Sequence, residues 1–141
     1  MSQTAIFWPM IALTALIYIV YGLVFLRRME AVKSGQASPR DFKLPLKEPE
    51  VSVTVIRNLI NLYELPVLFY AVCISLYVVN GSSFLAVIVA WLFVAARVAH
   101  TVVHVTSNRL RLRQPIFTIG YLLNGILWLI LALHLAIPAT A

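Results

Sequence analysis

The chain has 141 residues, is 62% hydrophobic and only 11% charged, and carries a net charge of +6. So low a charged fraction excludes an ordinary soluble domain, in which about a quarter of residues are charged. The basic excess does not point to nucleic acid, because nine of the eleven Lys and Arg residues lie in the connections between apolar runs.

Those runs read near 5–26, 51–79, 84–105 and 115–137. Each is long enough for the roughly 20 helical residues that cross a bilayer. The expected fold is all-α: an integral membrane four-helix bundle forming one domain over 1–141. The first run lacks a basic leader and continues too far before Arg27 to read as a cleavable signal peptide. Arg27, Arg28, Lys33, Arg40, Lys43 and Lys47 follow it in the first connection, which also carries Gly35, Pro39, Pro45 and Pro49. A connection of roughly 24 residues is either a functional cover or a plain basic linker.

The second run begins after Glu48 and Glu50, whose charges suit a helix N-terminus. Inside it lies Arg57-Asn-Leu-Ile-Asn61-Leu-Tyr-Glu64-Leu-Pro66. Centring one Arg or acidic residue in a bilayer costs roughly 2.5–3.5 kcal/mol, so such groups pair, line a cavity or bind something. At 100° per residue, Arg57, Asn61 and Glu64 fall within about 60° of one another, with Asn58 on the flank. Pro66 has no N–H for the carbonyl of Leu62, which predicts a bend just beyond Glu64. Tyr63, Tyr70 and the lone Cys73 read as packing residues, and Asn80-Gly81 is a turn signal.

The third run carries Arg97, His100 and His104, again within about 60°. A third connection follows with Arg109, Arg111 and Arg113, whereas Asn80-Gly-Ser-Ser83 and both termini lack Lys and Arg. The positive-inside rule places the first and third connections in the cytoplasm and both termini on the other side. Helix direction then puts both polar stripes in the same, cytoplasmic leaflet. They read either as an ion-pair network or as a ligand site. Interhelical polar contacts are worth only about 0.6–2 kcal/mol. Two arginines against one glutamate leave a positive surplus that suits an anion, and Arg forks suit carboxylates. His100 and His104 lack a third partner for a metal. In the fourth run Pro115 is expected in the first helical turn. Asn124, beside Tyr121 and Trp128, is expected to bond between helices, and His134 to lie at the outer interface.

Arg57-x-x-x-Asn61-x-x-Glu64 followed by Arg97-x-x-His100-x-x-x-His104 resembles the MAPEG family, the membrane-associated proteins of eicosanoid and glutathione metabolism. The segment Arg97-Val-Ala-His-Thr-Val102 is most similar to its membrane prostaglandin E synthase branch. The resemblance implies a homotrimer with glutathione, as cosubstrate, at subunit interfaces open to the cytoplasm. Arg57, Asn61 and Glu64 would hold its backbone groups, and Arg97, His100 and His104 would complete the pocket. An arginine near the start of the fourth helix would activate the thiol, here Arg113 or Arg111, with His104 as a possible base. Phe117 stands where that branch carries a functional arginine, and His104 where many relatives have tyrosine.

The resulting expectation is a glutathione-dependent transferase or peroxidase acting on lipophilic electrophiles that arrive through the membrane lipids. The alternatives are a non-catalytic glutathione- or lipid-binding scaffold of the same fold and a small four-span exporter. Two arginines beside Glu64 disfavour the exporter, since they repel cations and hold the carboxylate ionised. Compact loops favour a bacterial inner membrane over an endoplasmic reticulum membrane.

Overall fold

The computed structural model describes residues 2–43 and 48–136. A single turn at Gln3–Ile6 leads into α1 (Phe7–Lys33), and another at Asp41–Lys43 precedes α2 (Glu50–Val78). Then come α3 (Phe84–Val105) and α4 (Leu110–Ala136). All four helices are long and apolar enough to cross a membrane, which makes this an integral multi-pass membrane protein.

α3 packs most extensively on α4, and α1 on α2. α2 also meets α3 and α4, α1 also meets α3, and α1 and α4 do not touch among the described residues. The result is two hairpins side by side, with α2 and α3 central and α1 and α4 on opposite flanks. Phe69 of α2 stacks on Phe93 of α3 with ring centroids 4.4 Å apart. Around them lie Leu13, Val20, Val72, Cys73, Leu76 and Leu127, all without solvent exposure. Outward faces remain apolar, as at Trp8, Phe25, Leu85 and Leu129. Only lipid or another protein surface suits such faces.

The helix ends follow from local chemistry. α1 runs past the apolar stretch to Lys33, so Arg27, Arg28 and Lys33 are helical and the first connection is shorter than the apolar run implied. Gly35 stops it with φ +74°, while its own N–H reaches Val32 O and the N–H of Gln36 reaches Ala31 O. Both bonds require the left-handed backbone that glycine adopts without strain. Asn80 (φ +56°) ends α2 in the same way, with Gly81 N–H on Leu76 O at 2.7 Å. At this end the backbone N–H of Ser82 donates to Gln3 Oε1 at 2.9 Å, and His134 Nε2 sits 3.0 Å from Val79 O. His134 therefore docks α4 on the α2–α3 turn. α2 continues unbroken through Pro66.

α4 starts well before the expected position, at Leu110. Arg111 and Arg113 are thus in its first turn rather than in a loop, and Pro115 lies in the second turn instead of the first. A helix leaving the bilayer has no need of apolar residues, which is why hydropathy missed this segment.

At the same basic end, Arg28 grips Glu48 through two hydrogen bonds of 3.1 and 2.8 Å, and Ser52 donates to the same carboxylate at 2.6 Å. Partial desolvation pushes the Glu48 carboxyl upward, but the Arg28 and Ser52 hydrogen bonds outweigh it and hold the pKa below the ordinary carboxylate value. A depressed acid stabilises the fold above its unfolded pKa and loses that contribution as pH falls through the folded one. Glu48→Gln should therefore lower thermal stability by on the order of 1 kcal/mol at neutral pH and make no difference in strong acid. Melting curves of both proteins between pH 3 and 7 check this.

Candidate functional site

α3 supplies the buried half of the site. Arg97, His100 and His104 recur at the spacing of one helix face and point between α2 and α4, with 1%, 3% and 1% of their surface exposed. None of the three guanidinium nitrogens of Arg97 has a hydrogen-bond partner among the described residues. Its charge instead lies over the rings of Phe117, at 5.3 Å, and Phe93, at 6.0 Å. Both ring nitrogens of His100 and Nδ1 of His104 are likewise buried without partners. The two imidazoles meet edge to face, with centroids 5.5 Å apart, and His100 also leans on Phe117 at 5.7 Å. So many orphaned polar atoms in one place are rare in native structures, where buried polar groups nearly always find partners.

α4 supplies the mouth. Arg113 Nη1 lies 3.0 Å from His104 Nε2 and donates to Asn108 Oδ1 at 2.7 Å. Asn108 holds φ at +46°, which turns the chain from α3 into α4 and brings that oxygen to Arg113. A cleft of about 460 Å³ opens here, lined by Asn61, His100, Arg113, Gln114, Phe117 and Thr118. Arg111 is two residues from Arg113, hence on the opposite side of the helix, and lines a separate surface with Arg109, Leu110 and Leu112. The structure therefore brings Arg113 to the histidines and leaves Arg111 outside.

α2 supplies the outer wall. Asn58 is the inward residue of its segment: it exchanges hydrogen bonds of 3.3 and 3.4 Å with Thr101 and ties α2 to α3. Asn61 is half-buried at the cleft, while Arg57 and Glu64 are exposed. Glu64 is close enough to act on Arg97 through space, and Arg57 on His104. Neither forms an ion pair among the described residues, where the only pairs are Arg27–Glu30 and Arg28–Glu48. A self-contained ion-pair network is not what this chain builds. With Arg113 included, three arginines face one glutamate, and the positive surplus grows.

Gln114 and Thr118 are cleft residues that sequence reasoning missed. Their spacing with Arg113 and Phe117 is helical, but that signal is readable only once α4 is known to begin at Leu110. Asn124, expected to bond between helices, makes no such bond with any described residue: its Oδ1 is buried and partnerless among them. No curated protein and no solved structure matches the chain. A model of the MAPEG family matches residues 5–133, which take in both polar stripes and Arg113, and the chain belongs to that family.

Proposed function

We propose that the protein is a glutathione-dependent membrane enzyme, a transferase or peroxidase acting on lipophilic electrophiles. The MAPEG family includes glutathione transferases and peroxidases. The observation that carries the reading is a cleft lined by His100, Arg113 and Phe117, with the partnerless guanidinium of Arg97 over the Phe117 ring and His104 3.0 Å from Arg113. Reduced glutathione has two carboxylates and one ammonium, and its thiolate form carries one further negative charge. Three arginines with one glutamate complement that thiolate form group by group: Arg57 and Arg97 for carboxylates, Glu64 for the ammonium, and Arg113 for sulfur. Asn61, His100 and His104 would add neutral hydrogen bonds.

Bound glutathione supplies a thiol that, once ionised, attacks an electrophilic carbon or reduces a peroxide. A cysteine thiol has a pKa of about 8.5, and an adjacent Arg lowers such a value by roughly 1–3 units. Arg113, positioned by His104 and Asn108, is the residue that does this, because it alone among the arginines of the third connection and α4 reaches the cleft. Arg57 and Glu64, exposed on one protomer in a membrane, point to further subunits covering them, as in a homotrimer. On this proposal the chain is a member of the prostaglandin E synthase branch, which the segment Arg97–Val102 resembles. The basic end faces the cytoplasm on this reading, with both termini opposite and a bacterial inner membrane as the setting.

Phe117 favours one alternative, a non-catalytic member that binds glutathione without activating it, because a ring fills the wall beside Arg97 where the branch carries an arginine. Calorimetry on the solubilised protein tests binding; no heat at millimolar reduced glutathione would overturn the proposal. Conjugation of a chlorinated nitroaromatic and reduction of a lipid hydroperoxide then separate enzyme from scaffold. Glu64→Gln and Arg57→Ala should each weaken glutathione binding by roughly tenfold or more, with the oligomer intact. Subunits that dissociate in these variants, by size-exclusion chromatography with light scattering, would assign the pair to assembly instead.

A further inference from the structure

The basic end of α1 carries a groove that shares no residue with the cleft at Arg113. Its depth in the bilayer follows from helix length. Trp8, exposed in the first turn of α1, suits one membrane–water boundary. About 30 Å of helix rise separates it from Arg28, the thickness of the hydrocarbon, so Arg28 reaches the opposite boundary. Beyond that point the chain folds back along α1. The left-handed Gly35 reverses it, and the N–H groups of Gln36 and Ala37 both donate to Ala31 O, at 3.0 and 3.2 Å. The Asp41 carboxylate accepts from the Ser38 N–H at 2.8 Å and closes the next turn. Phe42 then meets the Arg28 guanidinium, which lies 4.9 Å from its ring centroid and is itself held by Glu48.

About 480 Å³ opens between this returning segment and α1. Phe25, Met29 and Val32 form one wall, Pro39 and Phe42 the other, and Lys33 stands at the end of the α1 wall. From Phe25 to Lys33 that wall rises about 12 Å, from hydrocarbon depth to the level of the lipid phosphates. The charges at this level are unevenly matched. Arg27 pairs with Glu30 and Arg28 with Glu48, whereas Lys33 and Arg40 form no ion pair among the described residues. A second copy of the chain would bring the same surplus of cations to the rim, and a water-soluble partner would not reach the apolar floor at Phe25. A phospholipid has an apolar chain and an anionic phosphate at these two depths.

We infer that this groove binds an anionic phospholipid, its acyl chain along Phe25, Met29 and Phe42 and its phosphate on Lys33 and Arg40. The bound lipid fastens the first connection to α1 beside the Arg28–Glu48 clamp, and so steadies the entry into α2. Neither glutathione nor turnover enters the inference, and binding is measured without them.

The test titrates the intact protein in detergent with dioleoyl phosphatidylglycerol or dioleoyl phosphatidylcholine, and reads bound lipid by native mass spectrometry and stability by thermal melts. The anionic lipid should bind about tenfold more tightly and raise the melting temperature further. Lys33→Gln and Arg40→Gln should each reduce that preference roughly threefold, and together erase it. Arg109→Gln combined with Arg111→Gln removes as much charge from the same end but outside the groove, and should leave the preference intact. Phe42→Ala takes away one wall and should weaken both lipids. Equal affinity for the two lipids, or a preference that falls equally in the Arg109 and Arg111 double variant, would overturn the inference. So would unchanged binding of both lipids in Phe42→Ala. Displacement of phosphatidylglycerol by millimolar inorganic phosphate would reassign the cations to a free anion, and loss of oligomer in Phe42→Ala would reassign the groove to a second copy; either result overturns the lipid site.

Discussion

Arg113→Leu should lower glutathione turnover at pH 7 about thirtyfold and leave much of it intact at pH 9.5. With the thiol at its ordinary pKa of about 8.5, only roughly 3% is ionised at pH 7; an arginine that lowers the pKa by more than two units makes it predominantly thiolate. Removing the guanidinium returns the thiol to the first condition, and raising the pH then restores ionisation without help from the protein. The wild-type rate should be nearly flat from pH 7 upward, and the variant rate should climb about tenfold per unit before levelling. Arg113→Lys retains charge but not the planar guanidinium whose Nη1 meets both His104 Nε2 and Asn108 Oδ1 and whose other nitrogens remain for the ligand, so it should recover the rate only in part. Arg111→Leu, on the far side of the same turn, should have no effect on the profile. Initial rates of conjugation across pH 6–10 distinguish these outcomes, and a variant profile parallel to wild type would move thiol activation to another group.

Arg97→Met should raise the melting temperature of the glutathione-free protein and reduce glutathione affinity by a factor of about 30 to 5,000. The two effects have one origin. A guanidinium only 1% exposed with three partnerless nitrogens destabilises the empty protein, and an apolar side chain of similar length relieves that penalty. The same nitrogens are the ones that would close on a carboxylate, and truncating one partner of a buried charge pair costs about 2–5 kcal/mol of binding. A residue kept only to hold the bundle together predicts the reverse on stability. Thermal melts with and without millimolar glutathione, on wild type and variant, read both quantities at once; a variant that melts lower without ligand assigns Arg97 to structure.

The four helices and the α3 stripe were legible because hydropathy and a 100° period are strong signals in long apolar runs. Arg97, His100 and His104 converge as their spacing implies. The α2 motif was legible as a set of residues but not in its orientation. Its inward-facing member is Asn58, read only as a flank, because the Thr101 hydroxyl offers it a partner across the bundle. Arg57 and Glu64 turn outward, and what they face depends on surfaces outside a single chain. The choice among the basic residues before Pro115 was illegible for a different reason. It depends on where α4 starts, and that is decided by the left-handed Asn108 and by a helical extension beyond the apolar stretch, neither of which hydropathy registers.

The separation of α1 from α4 has a consequence for how the molecule is made. Each hairpin, α1–α2 and α3–α4, draws its closest packing from neighbours in the chain, so each can form as soon as its second helix leaves the ribosome. Their union depends on the packing of α2 against α3 and α4 and of α1 against α3, and it is on this seam that Asn61 and Arg113 line one cleft and Asn58 meets Thr101. The cleft therefore comes into being when the hairpins join, and it opens when they part. Any molecule that bridges the seam acts as a late-binding latch for the whole protein.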